Sequence, residues 1–410
     1  MRQPASDRQI VALNFASMAQ HGVILLLVGP LVPDLMATFG IGESVTGLLL
    51  GMGSVGFVAG PLFAGALIDR INVRAALLVG LGIELVFLIL FGIAPLFIVA
   101  VAANLLIHLG ASFVETSANV MPTLTRSSKS AHSVMNLVHM FFSVGAFAGP
   151  FLIGLYLDAT GAWRPIMFFT LIPTGALALW TFSARFPRAP RRERSRRDGP
   201  ATQGRRPRPL AHVGEVLRMP HAVLGAVTLL LYVGAEVGVS SWVVYYLQRR
   251  LDLPTVASTT GLSVLWIAIM AGRFANSVLG NRFTSTTLVT VSGLAGAVGV
   301  GLFLLADGIV GAYAFLVWIG LCFAGIFPNV MAELNNRVPE KTGTVTAVMA
   351  MGASSGAAIF QWFVGFLAEA ASIVVAFTVP AVLLLLLVAT FHAAVRSRSI
   401  PAPAAEGGAS

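Results

Sequence analysis

Apolar residues run in stretches of about twenty along this chain, divided by short polar breaks, from Ile10 to Val395. That is the length at which an α-helix crosses the hydrocarbon core of a bilayer, so the pattern predicts membrane spans. Divided at turn residues and charges, it predicts about twelve. The first six cover 10–38, 44–68, 75–94, 96–120, 132–157 and 164–186; the last six cover 221–248, 255–280, 284–306, 309–335, 341–368 and 371–395. The expected fold class is therefore all-α integral membrane, with about 12 transmembrane helices in two six-helix halves. The expected layout is an N-terminal half over 1–186, a linker over 187–218, a C-terminal half over 219–395 and a tail over 396–410. Only a short polar stretch precedes Ile10 and no small-residue cleavage site follows the first span, so that span is expected to be retained.

Composition agrees with this reading. Of 410 residues 57% are hydrophobic and 10% charged, against about 25% charged in soluble domains. The net charge of +9 would in a soluble chain suggest nucleic acid as a partner. Its distribution says otherwise. Lys and Arg favour the cytoplasmic side of a membrane, and under the twelve-span reading all but Arg164, Arg249 and Arg250 of the 26 basic residues fall on one side. The segment Pro187 to Arg218 alone holds ten Arg, which reads as a solvated cytoplasmic linker. The expectation is a multi-pass protein of the cell (cytoplasmic) membrane, both termini cytoplasmic, with the lipid bilayer and not nucleic acid as its surroundings. Cys322 is the sole cysteine, so neither an intrachain disulfide nor a cysteine-rich metal site is expected. No GxxxxGK followed by Ser or Thr occurs, and no HExxH. An ATP-driven pump, a zinc protease, other enzyme activity, cofactors and metals are therefore not expected.

A weak repeat supports two halves. Ala59-Gly60, Leu67 and Arg70 match Ala271-Gly272, Leu279 and Arg282 at an offset of 212; Gly145-Ala146, Gly154 and Asp158 match Gly356-Ala357, Gly365 and Glu369 at 211. Parallel six-helix halves are one known organisation of secondary transporters, with the substrate site between them.

Polar side chains are costly in a bilayer, so ionisable groups there point to function unless a neighbouring helix merely holds them. In the fourth span Asn104, His108, Ser112, Glu115 and Asn119 share one helix face. Packing suffices for Asn104, whereas Glu115 is read as functional, because a carboxylate in a low dielectric can exchange its proton. The fifth span repeats the pattern with His132, Asn136, His139 and Ser143, and the seventh with Tyr232, Glu236 and Ser240. In the tenth, Asn329 and Glu333 lie beside Pro328, which can break the helix locally. His21 follows Gln20 in the first span and reads either as a packed bundle residue or as a substrate or proton group. Glu84 in the third span has no evident partner and reads as structural or lipid-adjacent. The patterns Gly47-x3-Gly51, Gly56-x3-Gly60 and Gly352-x3-Gly356 predict close helix packing.

The loop from Gly65 to Arg74, with Asp69 and Arg70 inside it, resembles the GxxxDRxxxR signature of the major facilitator superfamily. The resemblance implies that fold, and a gating role for Asp69, Arg70 and Arg74 and, by extension, Arg273 and Arg282. Five further segments are similar to the fucose:proton symporter family: Glu115 to Asn119, Asn136-Leu137 with Phe141 and Gly145-Ala146, Tyr232 to Ala235, Gly272-Arg273-Phe274, and Phe327-Pro328-Asn329. That likeness implies that Glu115 carries a proton near the sugar site and that Asn136 helps to bind the sugar. Where the family has an acidic residue in its first helix, Gly29 stands here, and Glu236 stands where the symporter has Gln. A partial likeness to the GP motif of drug:proton antiporters lies at Gly145-x3-Gly149-Pro150.

The expected function is secondary active transport by alternating access, as symport of a small sugar-like solute with protons. Glu115 and Glu236 are the expected proton-coupling residues. His21, His108, Asn119, Asn136, His139, Tyr232 and Asn329 are the expected substrate contacts, since such side chains offer donors and acceptors to hydroxyls. The alternative is proton-coupled efflux of an apolar or cationic compound. A membrane sensor on the same fold would need a signalling domain, for which the linker is too short.

Overall fold

The structure is a computed structural model that describes residues 4–124, 131–186, 213–279, 282–337 and 342–397. The Arg-rich stretch 187–212 and the tail beyond 397 lie outside the described residues. Twelve stretches are long and apolar enough to cross a membrane. The first is divided into α1 (Pro4–Leu25), a 3-10 turn (Gly29–Leu31) and α2 (Val32–Phe39). It is followed by α3 (Glu43–Arg70), α4 (Val73–Gly92), α5 (Phe97–Val120), α6 (Ala131–Thr160) and α7 (Arg164–Ser183). After the short α8 (Val213–Val216) come α9 (Pro220–Leu251), α10 (Thr255–Leu279) and α11 (Ser285–Leu304). The tenth span is split into α12 (Ile309–Phe323) and α13 (Ile326–Asn335), the eleventh is α14 (Thr342–Ala370), and the twelfth is α15 (Ile373–Ala376) with α16 (Thr378–Arg396).

Two spans are broken, the tenth beside Pro328 as the sequence allows and the first where no break is expected. The first span opens where Pro30 and Pro33 withhold two backbone donors, and its Gly29 backbone lies against Ser240 and Ser241 of α9. The tenth opens at Gly325, three residues before Pro328. A Cβ on Gly325 would stand 2.4 Å from the Asn276 amide of α10, and the Gly325 carbonyl accepts from both the backbone N–H of Asn329 at 3.2 Å and its side-chain amide at 2.7 Å. Gly40 and Gly161 end α2 and α6 with φ of 62° and 64°, left-handed values that suit glycine.

Among the first six spans, α1 packs on α6, α5 on α3 and α4, and α4 on α7. Among the last six, α9 packs on α14 and α16, α10 on α12, and α11 on α12 and α16. The two sets meet where α3 lies along α14 and α6 along α10. The glycines of the sequence repeat occupy matching contacts. A Cβ on Gly60 would stand 1.4 Å from Ser112 Oγ of α5, and one on Gly272 would press on Leu321 and Ala324 of α12. Gly145 meets the Ala19 carbonyl of α1 as Gly356 meets the Leu230 carbonyl of α9, with Cβ positions 1.8 and 2.0 Å away. Gly154 faces Thr259 of α10, and Gly365 faces the Glu43 carbonyl of α3. Small residues thus set the backbone separations, as they do where helices pack without a hydrophobic driving force.

Hydrogen bonds join the two sets at the turns near residues 40, 252 and 371 and also deeper in the bundle, where Ser263 of α10 donates to the Phe147 carbonyl of α6 at 2.8 Å. The Tyr245 hydroxyl donates to Glu43 at 2.5 Å, the Ser44 amide to Glu369 at 2.8 Å, and the Ser54 hydroxyl to Gln361 at 3.0 Å. Glu369 caps α3 from the opposite set, at the end of the helix where the macrodipole favours a negative charge. These contacts hold the two sets together at the end remote from Ser183 and Val213.

At the other end, the Arg74 guanidinium donates to the Phe182 carbonyl and lies 5.5 Å over the Phe182 ring, so it ties α4 to α7 within the first six spans. Asp69 and Arg70 are exposed at the end of α3, and Arg282 is exposed between α10 and α11. Asn72 caps α4 by accepting from the Ala75 amide at 2.8 Å. Asn72→Ala is expected to cost about 1 kcal/mol, seen as a lower unfolding midpoint in detergent with the span count unchanged.

Candidate functional site

Ionisable side chains from both sets meet inside the bundle. On α9, Tyr232 and Glu236 stand one helical turn apart and face the same way. The Tyr232 oxygen is 2.8 Å from Glu236 Oε1 and 2.9 Å from the Phe323 carbonyl of α12. A phenol carries one proton and can donate to only one of these acceptors. Both contacts are hydrogen bonds at once only when Glu236 carries a proton and donates it to the tyrosine oxygen.

Arg273 stands nearby on α10. Its guanidinium donates to Ser143 Oγ of α6 at 3.4 Å, and its charge acts on Glu236, Tyr232 and His139. Charge counting grouped Arg273 with Arg282 near the helix end, yet it lies inside α10, half-buried, six residues before Leu279. From the first six spans, His21 is buried between Phe57 and Phe142, with ring centroids 5.9 and 5.5 Å away, and it is electrostatically coupled to His108 and His139. Phe142 in turn meets Trp266 of α10 edge-on at 5.5 Å. Neither His21 Nδ1 nor Trp266 Nε1 has a hydrogen-bond partner among the described residues.

Beside this cluster is a small cavity of about 20 Å³, lined by Gly29, Asn104, His108, Ser240, Ser241 and Gln361 among others. It has room for about one water molecule. Gln361 organises the wall. Its amide donates to Ser241 Oγ at 2.8 Å, its side-chain oxygen accepts from Ser54 of α3, and its carbonyl accepts from Trp242 at 3.0 Å. Gln361 belongs to no motif in the sequence, and its one signal there is a lone amide in an apolar span.

The other predicted residues fall elsewhere. Asn104 donates to the Leu49 carbonyl of α3 at 2.8 Å and its own carbonyl contacts His108 Nδ1 at 2.9 Å, so Asn104 serves helix packing. Glu115 is half-buried on α5, and among the described residues no hydrogen bond or ion pair joins it. Asn119 is half-buried too, with an enclosed, unpartnered Oδ1. Asn329 binds Asn276 at 3.2 Å and the Gly325 carbonyl, both within the last six spans. The Asn136 and His132 side chains lie outside the described residues. Glu333 pairs with Arg337 at 3.3 Å in a partly exposed i,i+4 bridge. Glu84, read from sequence as structural or lipid-adjacent, is fully enclosed between helices and does not meet lipid.

Known proteins resemble this chain in sequence and in fold. A putative glucose/galactose transporter of Helicobacter pylori is 28% identical over 139 residues, a match that spans 34% of this chain and 34% of that protein. The glucose/galactose transporter of Brucella abortus is 24% identical over 88% of this chain and 87% of its own length. The E. coli fucose:proton symporter shares the fold, with a TM-score of 0.62 at 20% identity over 94% of this chain and 98% of that one. The sequence profile of the Major Facilitator Superfamily matches residues 11–361. That match runs from the first span into the eleventh, and the chain belongs to the Major Facilitator Superfamily of membrane transporters.

Proposed function

We propose that this protein carries a sugar-like, hydroxyl-rich solute together with protons, by alternating access between two six-helix halves, with the 187–212 segment on the cytoplasmic side. The observation that carries the reading is the position of the Tyr232 hydroxyl between Glu236 and the Phe323 carbonyl. Protonated Glu236 satisfies the whole chain of bonds. Ionised, it competes for the tyrosine proton and attracts Arg273, whose present contact is Ser143 on the opposite half. Proton loss at Glu236 therefore weakens a bond between halves, which is how a proton can bias an equilibrium between states. Glu115 is the second coupling carboxylate, and among the described residues it has no partner that would hold it ionised.

His21, His108, His139, Asn119, Asn136 and Tyr232 supply hydroxyl-binding groups, to which Gln361, Ser240 and Ser241 are added. A cavity the size of one water admits no sugar, so the halves part before solute enters. The names of the relatives, glucose/galactose transporters, support the solute class. The aromatic wall of Phe57, Phe142 and Trp266 favours a second reading, efflux of an apolar or cationic compound in exchange for protons.

Proteoliposomes with an imposed pH gradient separate the two. The expected result is gradient-driven entry of labelled D-galactose or D-glucose and no extrusion of a cationic dye. Dye extrusion without sugar entry would replace the first reading with the second.

A further inference from the structure

Glu84 takes no part in the mechanism above, and among the described acids it is the one with no exposed surface. It projects from α4 into a space closed by α1, α5 and α7. A Cβ on Gly110 of α5 would stand 3.0 Å from Glu84 Cγ, so backbone walls the carboxyl on that side. Its one polar partner is neutral: the Gln20 amide of α1, 2.6 Å from Glu84 Oε2 and also 3.1 Å from Thr174 Oγ1 of α7. Glu84 Oε1 and Gln20 Oε1 are both buried without partners among the described residues. Of the ionisable groups on α5 and α7, His108 contacts the Asn104 carbonyl, Glu115 stands five residues beyond Gly110, and Arg164 donates to the Gly92 carbonyl, and α3, which also touches α4, carries charge only at its ends, in Glu43, Asp69 and Arg70. The neighbouring ionisable group on α1 is His21, which is turned toward Phe57 and Phe142.

An isolated carboxylate anion with no cation and no water costs several kcal/mol, and such groups neutralise instead. Gln20 suits either protonation state, because an amide can donate to a carboxylate or accept from a carboxylic acid. We infer that Glu84, held by Gln20, is a proton-binding site inside the first six spans, distinct from Glu115 and Glu236. In the described state it holds its proton. Release requires α1 to move Gln20 and admit water, and the same movement carries His21, the next residue, at the central cluster. The proton at Glu84 is thereby tied to the position of α1 and to nothing that the solute must touch. The inference stands whether or not the solute is a sugar.

Infrared difference titration of the purified full-length protein in lipid nanodiscs tests it, with no solute present. The expected result is a buried carboxylic-acid carbonyl band at neutral pH that disappears on alkaline titration. The band should be absent in Glu84→Gln, shifted but present in Glu84→Asp, and unchanged in Glu115→Gln. The aspartate variant keeps the assignment testable if Glu84→Gln does not fold. A Glu84 carboxyl ionised throughout, or an acid band that never titrates, would overturn the inference. Loss of the band in Glu115→Gln and not in the Glu84 variants would do so too.

Discussion

Arg273→Leu is expected to abolish proton-driven solute accumulation while leaving a folded, twelve-span protein. Among the described residues the guanidinium is the cation whose charge reaches Glu236, Tyr232 and His139, and it binds Ser143 on the opposing α6. Its loss leaves an ionised Glu236 with no cation to attract and removes the link to Ser143, and coupling between two sites is worth about 1–3 kcal/mol. The expected loss in accumulation is about 5- to 150-fold. Leucine keeps the apolar stem and so isolates the loss of charge. Arg273→Lys keeps the charge but loses the planar fork, and it should restore part of the accumulation. Accumulation at the wild-type level in Arg273→Leu would remove the arginine from the coupling device.

Gly145→Leu acts on a different part of the molecule, the seam between α1 and α6. Gly145 and Gly22 bring these helices to backbone contact: their Cβ positions would lie 1.8 Å from the Ala19 carbonyl and 2.2 Å from the Phe142 carbonyl. A carbonyl cannot rotate away as a side chain can, so any larger residue must separate the helices. Overpacking of this kind costs about 3 kcal/mol or more, and the seam also carries His21 and Phe142 of the central cluster. The expected outcome is little folded protein by size-exclusion chromatography and a markedly lower unfolding midpoint. Gly301→Leu, at a glycine with open space around it, is the control and should change neither.

The contrast between these sites shows what the sequence could carry. Span length follows from the thickness of a bilayer, which is why all twelve crossings could be counted from apolar runs, and the i,i+4 spacing of Tyr232 and Glu236 placed them on one face before any coordinates. Glycine spacing also announced close packing, since Gly51 meets the Ala358 carbonyl, Gly56 that of Leu105 and Gly352 that of Ala226. Partners distant in the chain were not legible. Gln20 and Glu84 are 64 residues apart, and nothing in either span names the other. Gln361 gains its importance from Ser54, Ser241 and Trp242 on two other helices. Arg273 shows a further limit: charge counting assigns a side of the membrane but not depth, and a cation six residues inside a helix end looks the same in sequence as one at its tip. Asn329 was selected by spacing and by resemblance, yet its amide holds the broken tenth span together.

The central claim is that protons and solute cross together through the carboxylates of the bundle. Its most direct test is the proton flux that accompanies downhill D-galactose entry into proteoliposomes without an imposed pH gradient. The expected result for the wild type is alkalinisation of the medium in step with galactose entry, and for Glu236→Gln and Glu115→Gln galactose exchange with no proton movement. Galactose entry by the wild type with no accompanying proton flux would contradict the account.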